Sequence, residues 1–140
     1  MQLRSIRWLV ACLALGGIPA WAWAADEPPA NAGAPVADAD PVLNAEQIDA
    51  AQRVLIGTVR CDRGQFVTVA RIDGKEGFFE VVHNGETHRM VPEATTTGAV
   101  RLEDKKTGMM WLQIADKSML MDTRAQLRMV DGCRHPSQRV

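Results

Sequence analysis

Short apolar runs recur at intervals of about ten residues between positions 54 and 131, and turn-forming pairs separate them. Asn84-Gly85 is the strongest turn signal, because both central residues of such a two-residue hairpin turn take a positive φ. Short loops favour antiparallel pairing of consecutive strands, and eight strands at this spacing indicate an all-β sandwich or small barrel. The predicted strands cover residues 54–61, 65–72, 78–83, 87–91, 99–103, 110–114, 118–122 and 126–131.

A short helix is predicted ahead of the strands, over residues 44–53. Asn44 and Gln47 have the spacing of a capping box, in which each side chain accepts a hydrogen bond from the backbone of the other. Leu43 and Ile48 have the spacing of a hydrophobic staple. These two signals together predict that the helix begins at Asn44.

Residues 1–24 have the layout of a secretory signal peptide. Two arginines precede an apolar run over residues 8–18, which is too short to span a bilayer at about 20 residues. The motif Ala22-Trp23-Ala24 supplies the small-x-small pattern of a cleavage site and predicts a cut after Ala24. We therefore expect a periplasmic protein with no membrane span.

A lipid anchor is the alternative to a plain signal peptide. Residues 9–12, with the sequence Leu-Val-Ala-Cys, resemble the lipobox of bacterial lipoproteins, in which Cys12 would be acylated. The apolar stretch before Cys12 is about four residues long, which is short against the usual 7–15. We therefore favour a soluble periplasmic protein over a lipoprotein.

The chain divides into five segments by composition. Residues 25–43 are rich in Ala, Pro and Asp and have no apolar periodicity, which predicts a disordered linker that serves as a spacer. The predicted order is a signal peptide over residues 1–24, the linker over 25–43, the helix over 44–53, a β-barrel over 54–135 and a tail over 136–140.

Cys61 and Cys133 are the two cysteines that remain after cleavage of the signal peptide. An exported chain with one cysteine pair predicts a small domain closed by one disulfide in an oxidising compartment. Cys61 ends the first predicted strand and Cys133 follows the last one. The bond would therefore tie the two edges of the sheet together and protect them from pairing with other chains.

The charge is distributed unevenly along the chain. The 16 basic and 17 acidic residues give a net charge of −1, which becomes −3 once the two arginines of the signal peptide are removed. Residues 26–53 carry six acidic residues and one basic residue, whereas residues 54–140 carry 13 basic and 11 acidic residues. No basic stripe with interleaved aromatic residues is present, so nucleic acid is not an expected partner.

Neither a metal site nor a cofactor is expected. His83 and His88 flank the Asn84-Gly85 turn, but a two-residue turn pairs them with Glu86 and Val81 rather than with each other. The many methionines would suit Cu(I), yet methionine is also a common filler of irregular core gaps.

Catalysis is not expected either. The sequence contains no nucleophile elbow, phosphate-binding loop or zinc-type cluster of cysteine and histidine. Glu103 and Asp104 are adjacent carboxylates, but general acid–base catalysis needs such groups in a pocket and they have the pattern of turn residues. We therefore predict a protein that is not an enzyme.

Six short motifs occur in an order that is more specific than any one of them. The motifs are Cys61-Asp62-Arg63-Gly64, Phe66-Val67-Thr68-Val69, Asn84-Gly85-Glu86-Thr87, Thr97-Gly98, Ala115-Asp116 followed by Met119-Leu120, and Cys133. Because of this order, residues 59–133 resemble the bacterial inhibitors of c-type (chicken-type) lysozyme, both the membrane-bound and the periplasmic kinds.

The resemblance implies a flattened eight-stranded antiparallel barrel that plugs the substrate cleft of c-type lysozyme and so protects the bacterial wall. In this family a serine of a Ser-Gly loop and a lysine of a second motif donate charge-assisted hydrogen bonds to the catalytic carboxylates of the enzyme. Here Thr97 and Gly98 take the Ser-Gly positions, and Arg101 takes the place of a family tyrosine. Ile114 takes the place of the lysine, and Lys117 in the adjacent turn is the candidate substitute.

Three functions are therefore compared. The first is a periplasmic inhibitor of c-type lysozyme. The second is an envelope binding module on the same barrel without inhibitory activity, because isoleucine cannot pair with a carboxylate and that loss weakens binding roughly 10- to 150-fold. The third is an enzyme or metal carrier, and its only support is the scattered histidines and methionines. An absence of bound copper or zinc would exclude the carrier.

Overall fold

The fold is given by a computed structural model that describes residues 39–138. The predicted signal peptide, Cys12 and residues 25–38 of the predicted linker lie outside the described residues. One helix, α1 (Ala45–Gln52), is followed by eight strands, and a 3-10 turn over Asp62–Gly64 separates the first two strands. The strands are β1 (Gly57–Arg60), β2 (Phe66–Arg71), β3 (Phe79–His83), β4 (Glu86–Glu93), β5 (Val100–Asp104), β6 (Met109–Gln113), β7 (Ser118–Asp122) and β8 (Leu127–Cys133).

The eight strands form one sheet with up-and-down topology. Each strand pairs antiparallel with the next one along the chain, in the order β1 to β8. A bridge between Arg60 and Arg134 brings the end of β8 back to β1. The disulfide between Cys61 and Cys133, with an S–S length of 2.03 Å, follows directly on this bridge. The predicted antiparallel barrel closed by one disulfide is thus confirmed as a nearly closed barrel.

The hairpin between β3 and β4 has the predicted register. Asn84 and Gly85 have φ values of 51° and 81°, as a two-residue turn of this kind requires. His83 pairs with Glu86, and Val81 pairs with His88. The two histidines are therefore not cross-strand partners.

The interior of the barrel is filled by side chains at alternating strand positions. β2 and β3 each alternate between buried and more exposed residues, as expected where one face of a sheet meets a core. Methionine, tryptophan and aliphatic side chains share this core. The large side chains that are essentially inaccessible to solvent include Trp111, Phe79, Met90, Leu102, Leu120, Val67, Val69 and Val81.

The predicted capping box of α1 is present in both directions. Asn44 Oδ1 accepts from the backbone N–H of Gln47, at 2.9 Å, and the Gln47 side chain accepts from the backbone N–H of Asn44, at 3.0 Å. The staple residues Leu43 and Ile48 both pack against Gly77, where an added Cβ would lie 2.4 Å from the Cδ1 atom of Leu43. A side chain at this position would therefore require the Leu43 side chain to move, and Gly77 also has a φ of 81°, which favours glycine.

The first strand is shorter than predicted, because it begins at Gly57 rather than at Val54. The backbone N–H of Val54 is bound to Ala51 O at the end of the helix, and that of Leu55 is bound to the side chain of Gln113. Gly57 has a φ of 127°, which separates this segment from the extended backbone that follows. Residues 54–56 are thus a connection, and the backbone donors of Val54 and Leu55 are used before the sheet begins.

The last part of the predicted linker is held by ion pairs. Asp40 contacts both Lys75 of the β2–β3 loop and Arg89 of β4, the latter at 2.6 Å. Hydrogen bonds from these two side chains lower the pKa of Asp40. Asp40, near the end of the predicted linker, is thus bound to residues of the β2–β3 loop and of β4. Within residues 39–138, no helix has the length and apolar composition needed to cross a membrane.

Removing the disulfide should destabilise the barrel strongly. Its cysteines are 72 residues apart, and closing a loop of that length in the unfolded chain is worth about 4 kcal/mol on the chain-entropy model. We expect a Cys61→Ser, Cys133→Ser variant to lose about this much free energy of unfolding in guanidinium denaturation. Reduction of the unmodified protein should produce the same loss, and equal stability of the oxidised and reduced proteins would contradict the closure described above.

Truncating a core side chain to alanine should lower the free energy of unfolding much more than truncating a surface side chain. Leu102 on β5 is 0% exposed, whereas Leu127 at the start of β8 is 54% exposed. We expect Leu102→Ala to lower the free energy of unfolding by about 2–5 kcal/mol and Leu127→Ala to change it by about 0.5 kcal/mol or less. Chemical denaturation of both variants measures the difference, and similar losses would show that the interior is wrongly placed.

Candidate functional site

The two segments that the sequence singled out lie at the same end of the barrel. In an up-and-down barrel every second connection is at the same end, so the β4–β5 loop and the β6–β7 loop are neighbours. Thr97 and Gly98 from the first loop and Ile114 from the second line one pocket of about 510 Å³. The full lining is Arg53, Thr97, Gly98, Ala99, Val100, Gln113, Ile114, Ala115 and Asp116.

The β4–β5 loop is tied down on both sides of Thr97. Thr95 Oγ1 donates to Ala99 O at 2.6 Å, which closes the loop on itself. Arg53, at the end of the helix, donates through Nη1 to Gly98 O at 3.1 Å. Gly98 has a φ of 75°, a conformation that glycine adopts without steric cost. Thr97 is exposed, so a restrained loop presents this residue to solvent.

The β6–β7 loop is held by the C-terminal end of the chain. Ile114 N donates to Lys117 O at 2.9 Å, which forms the turn. Gln138, which is only 8% exposed, donates through Nε2 to Ile114 O and to Ser118 Oγ, both at 2.9 Å. The predicted tail therefore contributes a buried side chain that supports this wall of the pocket.

Gln113 connects the pocket to the helix, and the sequence analysis did not identify it. Its side-chain amide accepts from Leu55 N at 2.9 Å and donates to Arg53 O at 3.0 Å. The amide thus pairs with this backbone segment in the way that a neighbouring strand would. Because these partners are about 60 positions away in the sequence, no local pattern could have indicated them.

Arg101 does not line the pocket. It lies on β5 between the buried residues Val100 and Leu102, so its side chain is on the outer face of the barrel. There its guanidinium forms an ion pair with Glu103, two positions along the same strand. The structure therefore separates Arg101 from Thr97 and Gly98, with which the sequence had grouped it.

Lys117 also lies outside the pocket lining. Its Nζ is 3.2 Å from Asp131 Oδ1 on β8. A backbone hydrogen bond from Gly132 lowers the pKa of Asp131, and the nearby Lys117 and Arg128 lower it further. A carboxyl whose pKa is lowered stays ionised at neutral pH and releases its partner only when the pH falls through that lowered value. Lys117 is therefore paired with an ionised carboxylate at neutral pH.

A second pocket, also of about 510 Å³, lies between α1 and the β4–β5 loop. Arg53 lines both pockets, so its side chain stands between them. The second pocket also contains Glu46 and Asp49 of the helix, and Asp49 is 3.5 Å from Arg53 Nε. The acidic charge that precedes the barrel in sequence is thus partly placed next to the candidate loop.

Metal-binding groups do not converge in the part of the chain that the structure describes. Among residues 39–138, no group of three or more His, Cys, Asp and Glu side chains is arranged to hold a metal ion. Met90 and Met109 belong to the core. Met119, at 7% exposure, is buried outside that core cluster, on the opposite face of β7 from Leu120.

Searches of protein-family models, curated proteins and solved structures find no match to this chain. The relation to lysozyme inhibitors therefore rests on the order of the motifs within residues 59–133. It stays a prediction from the residues themselves.

Replacing Gln113 should loosen the helix from the pocket without removing the barrel. Gln113→Ala leaves Leu55 N–H and Arg53 C=O without their partner, and we expect a loss of about 1–3 kcal/mol in the free energy of unfolding. Hydrogen exchange at Leu55 should accelerate. Gln52→Ala, at an exposed position of the same helix, is the matched control. Unchanged exchange at Leu55 in Gln113→Ala would show that the side chain does not hold this segment.

Proposed function

We propose that this chain is an exported inhibitor of c-type lysozyme that inserts the rim of the pocket into the substrate cleft of the enzyme. The observation that carries the proposal is that Thr97, Gly98 and Ile114, which resemblance assigns to the inhibitory surface, line one pocket. These positions come from two different loops, and the up-and-down barrel is what brings them together. The expected location is the periplasm, where the enzyme would reach the cell wall.

The restrained β4–β5 loop supports this proposal. Thr97 is exposed, while Thr95 and Arg53 fix the backbone on either side of it. A loop that is already ordered loses little conformational entropy on binding, so more of the contact energy is available for affinity. A threonine hydroxyl that donates to a carboxylate in a water-excluded cleft forms a charge-assisted hydrogen bond.

A non-inhibitory envelope binding module is the second candidate, and one observation favours it. Ile114 presents an apolar side chain where the resemblance implies a lysine, and Lys117 is bound to Asp131. A partner that offers an apolar group in place of a carboxylate would suit that wall of the pocket. Recovery of such a partner from envelope extract, together with an absence of inhibition, would favour this second function.

The inhibitor proposal predicts a specific effect at Thr97. We expect the purified protein to slow lysis of bacterial cells by chicken-type lysozyme at micromolar concentration or below. Thr97→Ser should keep the inhibition, because the hydroxyl remains. Thr97→Val removes the hydroxyl at nearly constant shape and should weaken inhibition roughly 10- to 150-fold, the value of one hydrogen bond to a charged group.

Thr87→Val is the matched control, because Thr87 is an exposed threonine at the start of β4, toward the opposite end of that strand. It should inhibit like the unmodified protein. A complete lack of inhibition by the unmodified protein at micromolar concentration would end the claim for this enzyme. Equal inhibition by the two valine variants would show that the Thr97 hydroxyl does not make the inhibitory contact.

A further inference from the structure

We propose that the outer face of the barrel at the junction of β8 and β1 docks onto an anionic phospholipid surface. This seam face consists of Arg60 on β1, Arg63 in the 3-10 turn, Phe66 on β2, Met129 on β8 and Arg134 just after β8. None of these five residues lines the pocket of the proposed lysozyme contact. The inference therefore goes beyond the proposed function and does not depend on it.

Two arginines are held directly opposite each other in the seam face. Arg60 and Arg134 are the partners of the bridge that closes the barrel, and the backbone N–H of Arg134 donates to Arg60 O at 3.1 Å. The residues before them, Val59 and Cys133, are buried, so both arginine side chains are on the outer face, where both residues are exposed. The adjacent disulfide holds the two strand ends together. Like charges in this arrangement destabilise a sheet, so the fold keeps them at a cost.

The positive charge of the seam face is not compensated by the part of the chain that the structure describes. Over residues 39–138, Arg60, Arg63 and Arg134 have no carboxylate at ion-pair distance, whereas four other arginines do. The two nearby acidic side chains are used elsewhere. Asp131 on β8 is paired with two other cations, and the carboxylate of Asp62 lies against the β8 backbone. Three guanidinium groups are therefore left for an external anion.

Exposed apolar side chains lie beside these cations. Phe66 is the cross-strand partner of Arg60 and is 55% exposed. Met129 is 41% exposed and lines a groove of about 300 Å³ together with Arg63 and Gln65. Because Gln65 directly precedes Phe66, the groove continues the row that the two arginines begin. Cationic and apolar side chains thus share one surface.

An anionic bilayer surface matches both features of the seam face. Basic side chains near such a surface are attracted by its phosphates, and the planar N–H fork of arginine fits phosphate oxygens. Apolar side chains gain free energy when they leave water for the boundary between headgroups and acyl chains. A soluble polyanion would satisfy the arginines but would leave Phe66 and Met129 in water. The lipid surface is therefore the partner that uses the whole face.

The test is co-sedimentation of the exported protein with lipid vesicles, after mass spectrometry has shown that residues 1–24 are absent. Vesicles of equal parts phosphatidylglycerol and phosphatidylcholine should bind the protein, and added salt should weaken the binding. Vesicles of phosphatidylcholine alone should bind it far less. The double variant Arg60→Gln, Arg134→Gln should weaken binding to the anionic vesicles roughly 30-fold, at roughly 5-fold for each basic residue. Phe66→Ser should weaken it roughly 10-fold.

A matched control removes two charges from the outer face of another strand. Arg101 and Lys105, on and just after β5, are each paired with a glutamate. Arg101→Gln, Lys105→Gln changes the net charge by the same amount as the arginine double variant and should bind nearly as well as the unmodified protein. The arginine double variant should be at least as stable as the unmodified protein in denaturation, because it loses a like-charge pair. A loss of binding would then not reflect unfolding.

Four outcomes would overturn the inference. They are an absence of binding to the anionic vesicles, equal binding to both kinds of vesicle, and an equal loss of binding in the two double variants, which would assign the effect to net charge alone. The fourth is binding of soluble polyglutamate without binding of vesicles, which would show that the partner is a soluble polyanion. Selective loss in the arginine double variant and in Phe66→Ser supports the docking surface.

Discussion

The closure of β8 onto β1 is the constraint on which the rest of the structure depends. The backbone bridge between Arg60 and Arg134 and the bond between Cys61 and Cys133 join the two edges of an otherwise open sheet. A single open sheet of eight short strands would leave edges free to pair with other chains and would lack an enclosed interior. Closure instead surrounds Trp111, Phe79 and their neighbours, so the fold has a core.

Closure also determines where the loops lie. Once the strands alternate around a barrel, the β4–β5 and β6–β7 loops are at one end, and the helix that precedes β1 packs at that end as well. Three side chains then fix the pocket. Arg53 binds the carbonyl oxygen of Gly98, and the amides of Gln113 and Gln138 bind backbone groups. The pocket is therefore a consequence of the topology, refined by amide and guanidinium contacts that bridge elements distant in sequence.

Local signals in the sequence were sufficient for most of the fold. The Asn84-Gly85 turn set the register of its hairpin, and Asn44 with Gln47 set the start of the helix, because each depends on residues only a few positions apart. The first strand was predicted too long, since the apolar residues at 54–56 satisfy a strand pattern, while the backbone donors of Val54 and Leu55 bind the helix end and Gln113.

The site was less accessible to such reasoning. The grouping of Thr97 and Gly98 with Ile114 came from motif order, and the structure places them in one pocket. Arg101 was grouped with them because it takes the place of a family tyrosine, but strand alternation turns it to the outer face. The contacts of Arg53 and Gln113 were out of reach, because they join positions 45 to 60 residues apart and follow no periodic pattern.

The measurement that tests the account most directly is hydrogen exchange of the protein alone and in a mixture with c-type lysozyme. The account predicts slower exchange in the complex over residues 94–99 and 114–117 and at the end of α1, with little change at the Asn84-Gly85 turn toward the other end of the barrel. Protection confined to that turn, or no protection anywhere, would contradict the claim that this pocket is the binding surface.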